Sequence, residues 1–262
     1  ATQILTALPD GDQVAIAAML NFSPDIGQNY APDFRNKPRV ELTDRDKQLL
    51  LDGFTIPTAD TLLPRTLRVR AGTGAGTSGN VATGLTNDVQ LELLAGNFNG
   101  PISNGLDPDP LKIGAAAKIR FLDQVQGDPF SLSGKVSFAQ TVGVRNGFSE
   151  GGLIFQYRPI PRLALMLEPK AAVFAGDQRF GTALGFNVQL WKGLQFIGEY
   201  TPIFVGEGKT GVWSTGLRYL DPKLGLGVDV YGSNAAGLDS IGGLLGRPDA
   251  SIGFNIHWLF GH

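Results

Sequence analysis

The sequence contains no cysteine, so disulfides and thiolate metal sites are excluded. It has two histidines, His257 and His262, which leaves little material for imidazole catalysis. No run of about 18 apolar residues occurs, so no segment reads as a transmembrane helix. Charge is scarce: Asp, Glu, Lys and Arg make up 18% of the chain, against roughly 25% in an ordinary soluble domain. The formal net charge of −2 supplies no basic field for nucleic acid. Apolar residues are not in excess either, at 42% against the usual ~45–50%. No motif repeats at a period of about 20–50 residues, and no linker or compositional break divides the 262 residues. The chain therefore reads as a single domain, 1–262. Its opening, "ATQILTALPDG", is expected to be a mature start after removal of a signal peptide.

Glycine, by contrast, is abundant. There are 36, roughly twice average usage, which suits a sheet protein with tight turns and close backbone contacts. Alternation recurs throughout. Leu111, Ile113, Ala115, Ala117, Ile119 and Phe121 share one face, with Lys112, Lys118 and Arg120 on the other. Phe130, Leu132, Val136 and Phe138 oppose Ser131, Ser133, Lys135 and Ser137. The last segment, "DASIGFNIHWLFGH", puts Ile252, Phe254, Ile256, Trp258 and Phe260 opposite Ser251, Gly253, Asn255 and His257. A period of two marks a strand with one apolar face.

Strands are expected at 13–22, 66–74, 88–96, 111–122, 130–141, 148–158, 162–173, 180–191, 194–203, 211–220, 223–232 and 250–260. Most have about 9–12 residues, where strands of soluble proteins average roughly 5–6 and a tilted membrane-crossing strand needs about 9–11. An even number of strands, with short turns alternating with longer loops, suits a bacterial barrel. The fold class is thus all-β: a transmembrane antiparallel up-and-down β-barrel of about 12 strands. Segment 75–87 reads as a long loop. Segment 23–65 breaks the pattern. Thr43 could cap a short helix with Asp46 three residues on, and Gly53 could stop it. This segment is expected to be an outer loop between the first two strands, folding into or over the lumen, or else an ordinary surface loop.

The aromatics collect near strand ends. Phe121, Phe130, Tyr157, Tyr219, Trp258 and Phe260 fall near one end; Phe148, Phe174, Phe180, Tyr200, Phe204 and Trp213 fall near the other. Two such girdles mark the water interfaces of a membrane barrel, although aromatics also favour strands in general. A final strand with an outward apolar face and a terminal aromatic resembles the C-terminal signature of bacterial outer-membrane β-barrel proteins. The matching positions are Phe254, Ile256, Trp258 and Phe260, and Gly261 and His262 follow the aromatic that usually ends the chain. The resemblance implies an outer membrane of Gram-negative type, a lipid bilayer around the barrel, and assembly machinery that reads the last strand.

If the apolar faces meet lipid, the other faces line a lumen. They carry the basic residues Arg68, Arg70, Lys112, Lys118, Arg120, Lys135, Arg158, Lys170 and Arg218, and the acidic residues Glu92, Glu150, Glu168, Glu199 and Asp229. The expected function is passive diffusion of small hydrophilic solutes, with the basic surplus giving a mild anion preference. The alternatives are a closed barrel, its charges paired across strands, serving as membrane anchor or recognition platform; a lipid-modifying enzyme using His257; and a soluble β-sandwich or barrel. Ser251 shares the face of His257 but lies six residues away, roughly 20 Å along a strand, so no catalytic residue is assigned and no enzyme is expected. Gly-Lys-Thr at 208–210 lacks the earlier glycine and the following helix of a phosphate loop. "GTGAGTSG" at 72–79 likewise precedes no helix pattern. Asp107 and Asp109 in "DPDP" fit a proline-rich turn better than a Ca²⁺ contact. No cofactor and no metal are expected. Solute, gating and oligomeric state are not legible.

Overall fold

The computed structural model describes residues 42–74, 76–97, 111–143, 147–174, 177–206, 210–238 and 240–261. Among the described residues thirteen strands run in chain order: β1 Leu67–Thr73, β2 Thr77–Gly84, β3 Val89–Asn97, β4 Lys112–Leu122, β5 Ser131–Thr141, β6 Gly147–Ile160, β7 Leu163–Phe174, β8 Asp177–Gln189, β9 Leu194–Thr201, β10 Ile203–Val205, β11 Val212–Asp221, β12 Leu226–Ala235 and β13 Gly246–Phe260. Pro202 separates β9 from β10, as expected of a residue with no N–H to give the ladder. Both pieces pair with β8, so they form one stave. The ring is then twelve antiparallel staves. It closes because β1 pairs with both β2 and β13, and Leu67 lies opposite Phe260. Closure leaves no edge of unpaired backbone, the condition for a sheet in hydrocarbon.

The count of twelve agrees with the sequence, but the membership differs. Segment 13–22 lies outside the described residues, and the ring is complete without it. The missing stave is β2, in the segment expected to be loop. Its sequence, TSGNVATG, shows little alternation because its inward side carries Asn80, Ala82 and Gly84. The glycine-rich stretch before it makes a tight connection, with Gly74 and Gly76 at φ +125° and +84°, a region open to glycine and costly for other residues. Asp107 and Asp109 lie outside the described residues, as do Gly208 and Lys209.

Each strand sends alternate side chains to solvent-free and exposed sides. In β13, Asn255, His257 and Leu259 are buried, while Phe254, Ile256, Trp258 and Phe260 are exposed. Around the ring the exposed set is dominated by Leu, Val, Ile and aromatics, such as Leu93, Val136, Leu153 and Val230. An apolar belt of this extent around a closed sheet is lipid-facing. Phe121, Tyr157, Tyr219, Trp258 and Phe260 ring one rim, with Trp258 and Phe260 stacked at 5.0 Å. Phe130 is half-buried against Phe155 beside them. Phe180, Tyr200, Phe204 and Trp213 are exposed at the other rim. Phe148 and Phe174 correct the girdle expectation. They pair across β6 and β7 and face inward, packing with Ala172, Ile203, Val212, Leu244 and Leu245. Parity decides this: Phe148 shares its side with Ile154 and Gln156, both buried.

The rim holding Phe260 carries the connections 85–88, 161–162, 190–193 and 222–225 beside the longer 123–130; the opposite rim carries the longer 98–111, 206–211 and 236–245 beside the short 74–76 and 175–176. Short turns are periplasmic and long loops extracellular in such barrels, so the Phe260 rim is the periplasmic one.

The lipid-facing assignment has a direct consequence. Leu93→Arg, at a mid-strand position 66% exposed, should destabilise the barrel by about 2–4 kcal/mol in lipid vesicles. Denaturant refolding into vesicles measures it; on a soluble protein the same exchange at so exposed a site would be nearly neutral.

Candidate functional site

The lumen is occupied. Of the expected segment 23–65, residues 23–41 lie outside the described residues; residues 42–65 lead into β1 at the Phe260 rim and fold into the barrel lumen, entering from that rim and not from the outer one. A short helix, α1 (Asp44–Leu49), sits at the rim. Its capping box forms as expected: the Asp46 amide donates to Thr43 Oγ1 at 3.2 Å, and the Thr43 amide donates to Asp46 Oδ2 at 3.0 Å. It stops at Leu50 rather than Gly53. Arg45 donates to Asn187 Oδ1 at 2.9 Å and to the Pro161 carbonyl at 3.2 Å; Gln48 donates to the Lys192 carbonyl at 2.6 Å. Burial, with Arg158 adding repulsion and Asp46 and Asp60 opposing it, pulls the Arg45 guanidinium down to about 10, still charged at neutral pH.

Beyond the helix the segment has no regular structure, and wall side chains bind its backbone directly. Arg68 donates to the Leu50 carbonyl at 2.8 Å. Arg218 donates to the carbonyls of Leu51 and Asp52 at 3.0 and 2.7 Å. Glu199 accepts from the amides of Phe54 and Thr55 at 2.7 and 2.6 Å, and from the Thr55 hydroxyl at 2.7 Å. Lys170 donates to the Thr55 carbonyl at 2.9 Å, and Lys118 to that of Thr58 at 3.2 Å. Gln156 accepts from the Ala59 amide and Gln90 from the Leu62 amide. Ion pairs reinforce this. Asp52 lies 2.7 Å from Arg68 and 3.2 Å from Lys118, and Arg158 bridges Asp46 and Asp60.

Wall glycines make room for the segment. A Cβ on Gly84 would meet the Leu62 and Leu63 carbonyls at 2.1 and 2.3 Å, and one on Gly185 would meet Ile56 Cδ1 at 2.9 Å. Gly53 serves the same close approach from the other side, since a Cβ there would meet Glu199 Oε1 at 2.0 Å. Apolar side chains fill what remains. Leu50 and Leu62 pack with Ala82 and Leu259, Phe54 with Ile197, Tyr231 and Leu238, and Ile56 with Met166 and Ala183. Burying about six large apolar side chains, at roughly 1.5–3 kcal/mol each, is worth on the order of 10 kcal/mol. From the outer rim, the loop 236–245 folds inward over a separate cluster with Phe148 and Ile203.

All fourteen charged positions named from sequence lie on inward faces of strands. They are gathered into pairs rather than left along an open bore. Arg68 and Lys135 share Glu92, at 3.3 and 2.8 Å. Lys170 pairs with Glu168 at 3.0 Å, and Arg218 binds both oxygens of Asp229 at 2.7 and 2.9 Å. Arg120 pairs with Asp88 and Asp123 at the periplasmic rim. Ser137 donates to Glu150 at 3.3 Å. Arg70 and Lys112 are buried on the same faces. The physical reason is dielectric: charges facing one another away from bulk water are held only if paired or hydrogen-bonded. Sequence reasoning did not single out the neutral amides Gln90, Gln156 and Gln195. Their signal was present, as polar residues at inward parity. One cavity of about 30 Å³ remains beside the plug tip, lined by residues 52–57 and by Arg70, Lys135, Ser137, Glu150, Glu168 and Lys170; it holds only one or two waters.

His257 lies 2.6 Å from Asp229, beside Arg218, and is fully buried. Ser251, on the same face, instead accepts from Arg247 at 2.7 Å.

No family model matches the sequence, and no curated protein matches it. Solved structures do. A KdgM porin in complex with disordered oligogalacturonate superposes with TM-score 0.55 at 10% identity, covering 74% of this chain and 98% of its own. An outer-membrane channel from Pseudomonas putida F1 gives 0.50 at 10% identity, covering 74% and 94%. A NanC porin gives 0.50 at 9%, covering 74% and 98%. The fold, with its apolar exterior, is that of an outer-membrane β-barrel, and within that class it is porin-like.

The clasp on the plug backbone is testable. Glu199→Ala leaves the buried amides of Phe54 and Thr55 without an acceptor, at about 1–3 kcal/mol each. Hydrogen exchange at residues 53–56 should rise by at least about tenfold, while exchange in the β-strands stays unchanged.

Proposed function

We propose that this barrel is a channel of the outer membrane of a Gram-negative-type bacterium, passing small hydrophilic solutes by diffusion. The observation that carries the reading is the polar cavity beside the plug tip. It supports the reading because paired charged and hydroxyl groups of the wall, Lys135, Ser137, Glu150, Glu168 and Lys170 among them, border a space of about 30 Å³ inside a ring whose exterior is lipid-facing. The porin-like fold supports the reading, and the solutes of the similar porins remain theirs.

A mild anion preference follows from the nine cations against five carboxylates among the inward positions named from sequence. Asp46, Asp52 and Asp60 of the plug offset part of that surplus, which keeps the preference weak. Lys135 matters most for it, because its ammonium lines the cavity and is more exposed than those of Lys118 and Lys170. The last strand presents Phe254, Ile256, Trp258 and Phe260 outward in register with β1, the arrangement proposed for reading by barrel assembly machinery. No catalytic role is proposed for His257, since the buried Asp229 and Arg218 that hold it sit behind the plug.

A second reading has its own support. The plug's hydrogen bonds reach β1, β3, β4, β6, β7, β8, β9 and β11, which suits a sealed barrel acting as anchor or recognition platform. Planar bilayers separate the two. The channel reading expects discrete conductance steps, with a reversal potential in a KCl gradient displaced toward chloride and moved toward potassium by Lys135→Glu. It also expects Lys135→Cys to react with a small charged thiol reagent in folded protein. Absence of conductance from folded protein, with an unreactive cysteine at 135, establishes the sealed barrel instead.

A further inference from the structure

The plug is not uniform along its length. Its base is held by apolar packing: Leu49, Leu50, Leu51, Leu62 and Leu63 are buried, with Ala82 and Leu259 packed against Leu50 and Leu62. Its tip, residues 52–57, offers two large apolar side chains, Phe54 and Ile56, and is otherwise held by polar contacts. We propose that this tip is a gate, swinging away from the wall while the base stays docked. The proposal rests on the channel reading and adds its regulation.

Three observations carry it. First, most of the wall cations that grip the tip keep a wall carboxylate when the tip leaves. Arg218 retains Asp229, Arg68 retains Glu92 and Lys170 retains Glu168. Lys118 retains the carbonyl of Thr58, which lies beyond the tip in the chain. Of the cations that grip the tip, Arg218, Arg68 and Lys170 each have a wall carboxylate, while Lys118 has its ion pair with Asp52 of the tip itself. Opening thus leaves three of the four paired, costs Lys118 its carboxylate, and passes the freed Asp52 and Glu199 carboxylates into water.

Second, the cavity lies against the tip itself, with residues 52–57 on one side and Arg70, Lys135 and Glu150 on the other. Displacing the tip widens this polar space.

Third, the tip ends against the element that closes the lumen from outside. Thr55 meets the short 3-10 turn Ser240–Leu244: a Cβ placed on Gly243 would lie 3.3 Å from Thr55 Cβ and 3.2 Å from the Thr55 carbonyl oxygen. The plug tip and the outer loop meet through this contact, where one side has no side chain, and through Leu238 packed in the cluster of Phe54. Opening separates that small-residue contact and one apolar contact between the two.

The same juxtaposition supplies the test. The chain has no cysteine, so Thr55→Cys with Gly243→Cys introduces a lone pair near the ~3.5–4.5 Å Cβ separation of a disulfide. In planar bilayers the oxidised pair should lose open events by at least about tenfold, reductant should restore them, and Asp52→Asn should raise the open fraction about threefold or more. Mass spectrometry verifies the disulfide, and heat-modified gel mobility verifies folding. An oxidised pair that conducts like the reduced one overturns the gate and leaves the channel standing. If the wild type, the reduced pair and a variant with residues 52–57 replaced by glycine are all folded and silent, the channel reading falls and the gate with it.

Discussion

A peptide without regular structure inside a barrel has no ladder to join, so its buried N–H and C=O groups need partners from the wall. That requirement organises the lumen. Carbonyls of residues 50, 51, 52, 55 and 58 receive Arg68, Arg218, Lys170 and Lys118, while amides of 54, 55, 59 and 62 give to Glu199, Gln156 and Gln90. The basic surplus on the inward faces is therefore also a surplus of hydrogen-bond donors for carbonyls. A sequence rich in inward Arg and Lys is compatible with an anion path and with a gripped peptide, because both demand donors.

The outside obeys the opposite rule. Hydrocarbon offers no partner to backbone or charge, so polarity there is confined to atoms paired in the ring. The two rules meet residue by residue along one strand: in β11, Ser214 and Arg218 face the plug side while Leu217 and Tyr219 face out. Pro202 interrupts the ladder only where β8 can still receive both β9 and β10, so the ring survives the missing donor.

The exterior rule was legible in the sequence because it acts on every second residue over long strands, and it has a single answer, apolar. The interior was legible only in part. Parity assigns the fourteen charged residues to the inward faces, but pairing between strands distant in sequence, such as Lys135 with Glu92, leaves no local trace. The plug hid one strand outright. Where Leu62 and Leu63 press their carbonyls against Gly84, a side chain cannot stand, and the alternation that announces β2 disappears. Phe148 and Phe174 failed for a related reason. An apolar residue at a strand end reads as girdle until the inward-folded loop 236–245 gives it a partner inside. The capping box of Thr43 and Asp46 was visible because it is local. The fate of Gly53 was not, since its partner Glu199 is 146 residues away.

Size explains why such a segment is needed at all. Barrels of about eight staves fill themselves with side chains, and those of sixteen or more leave a wide aqueous bore. Twelve falls between, too wide for side chains from opposite walls to meet and too narrow to hold many waters free of the wall's charges. Backbone supplies the missing bulk, and wall glycines at 84 and 185 show the fit was made from both sides. A filler secured solely by apolar burial would be permanent, and one secured solely by ion pairs would be loose in salt. Here both act along the whole segment: leucines and the contacts of Arg68, Gln90 and Arg158 hold the base, while Phe54 and Ile56 are buried among the polar contacts of the tip.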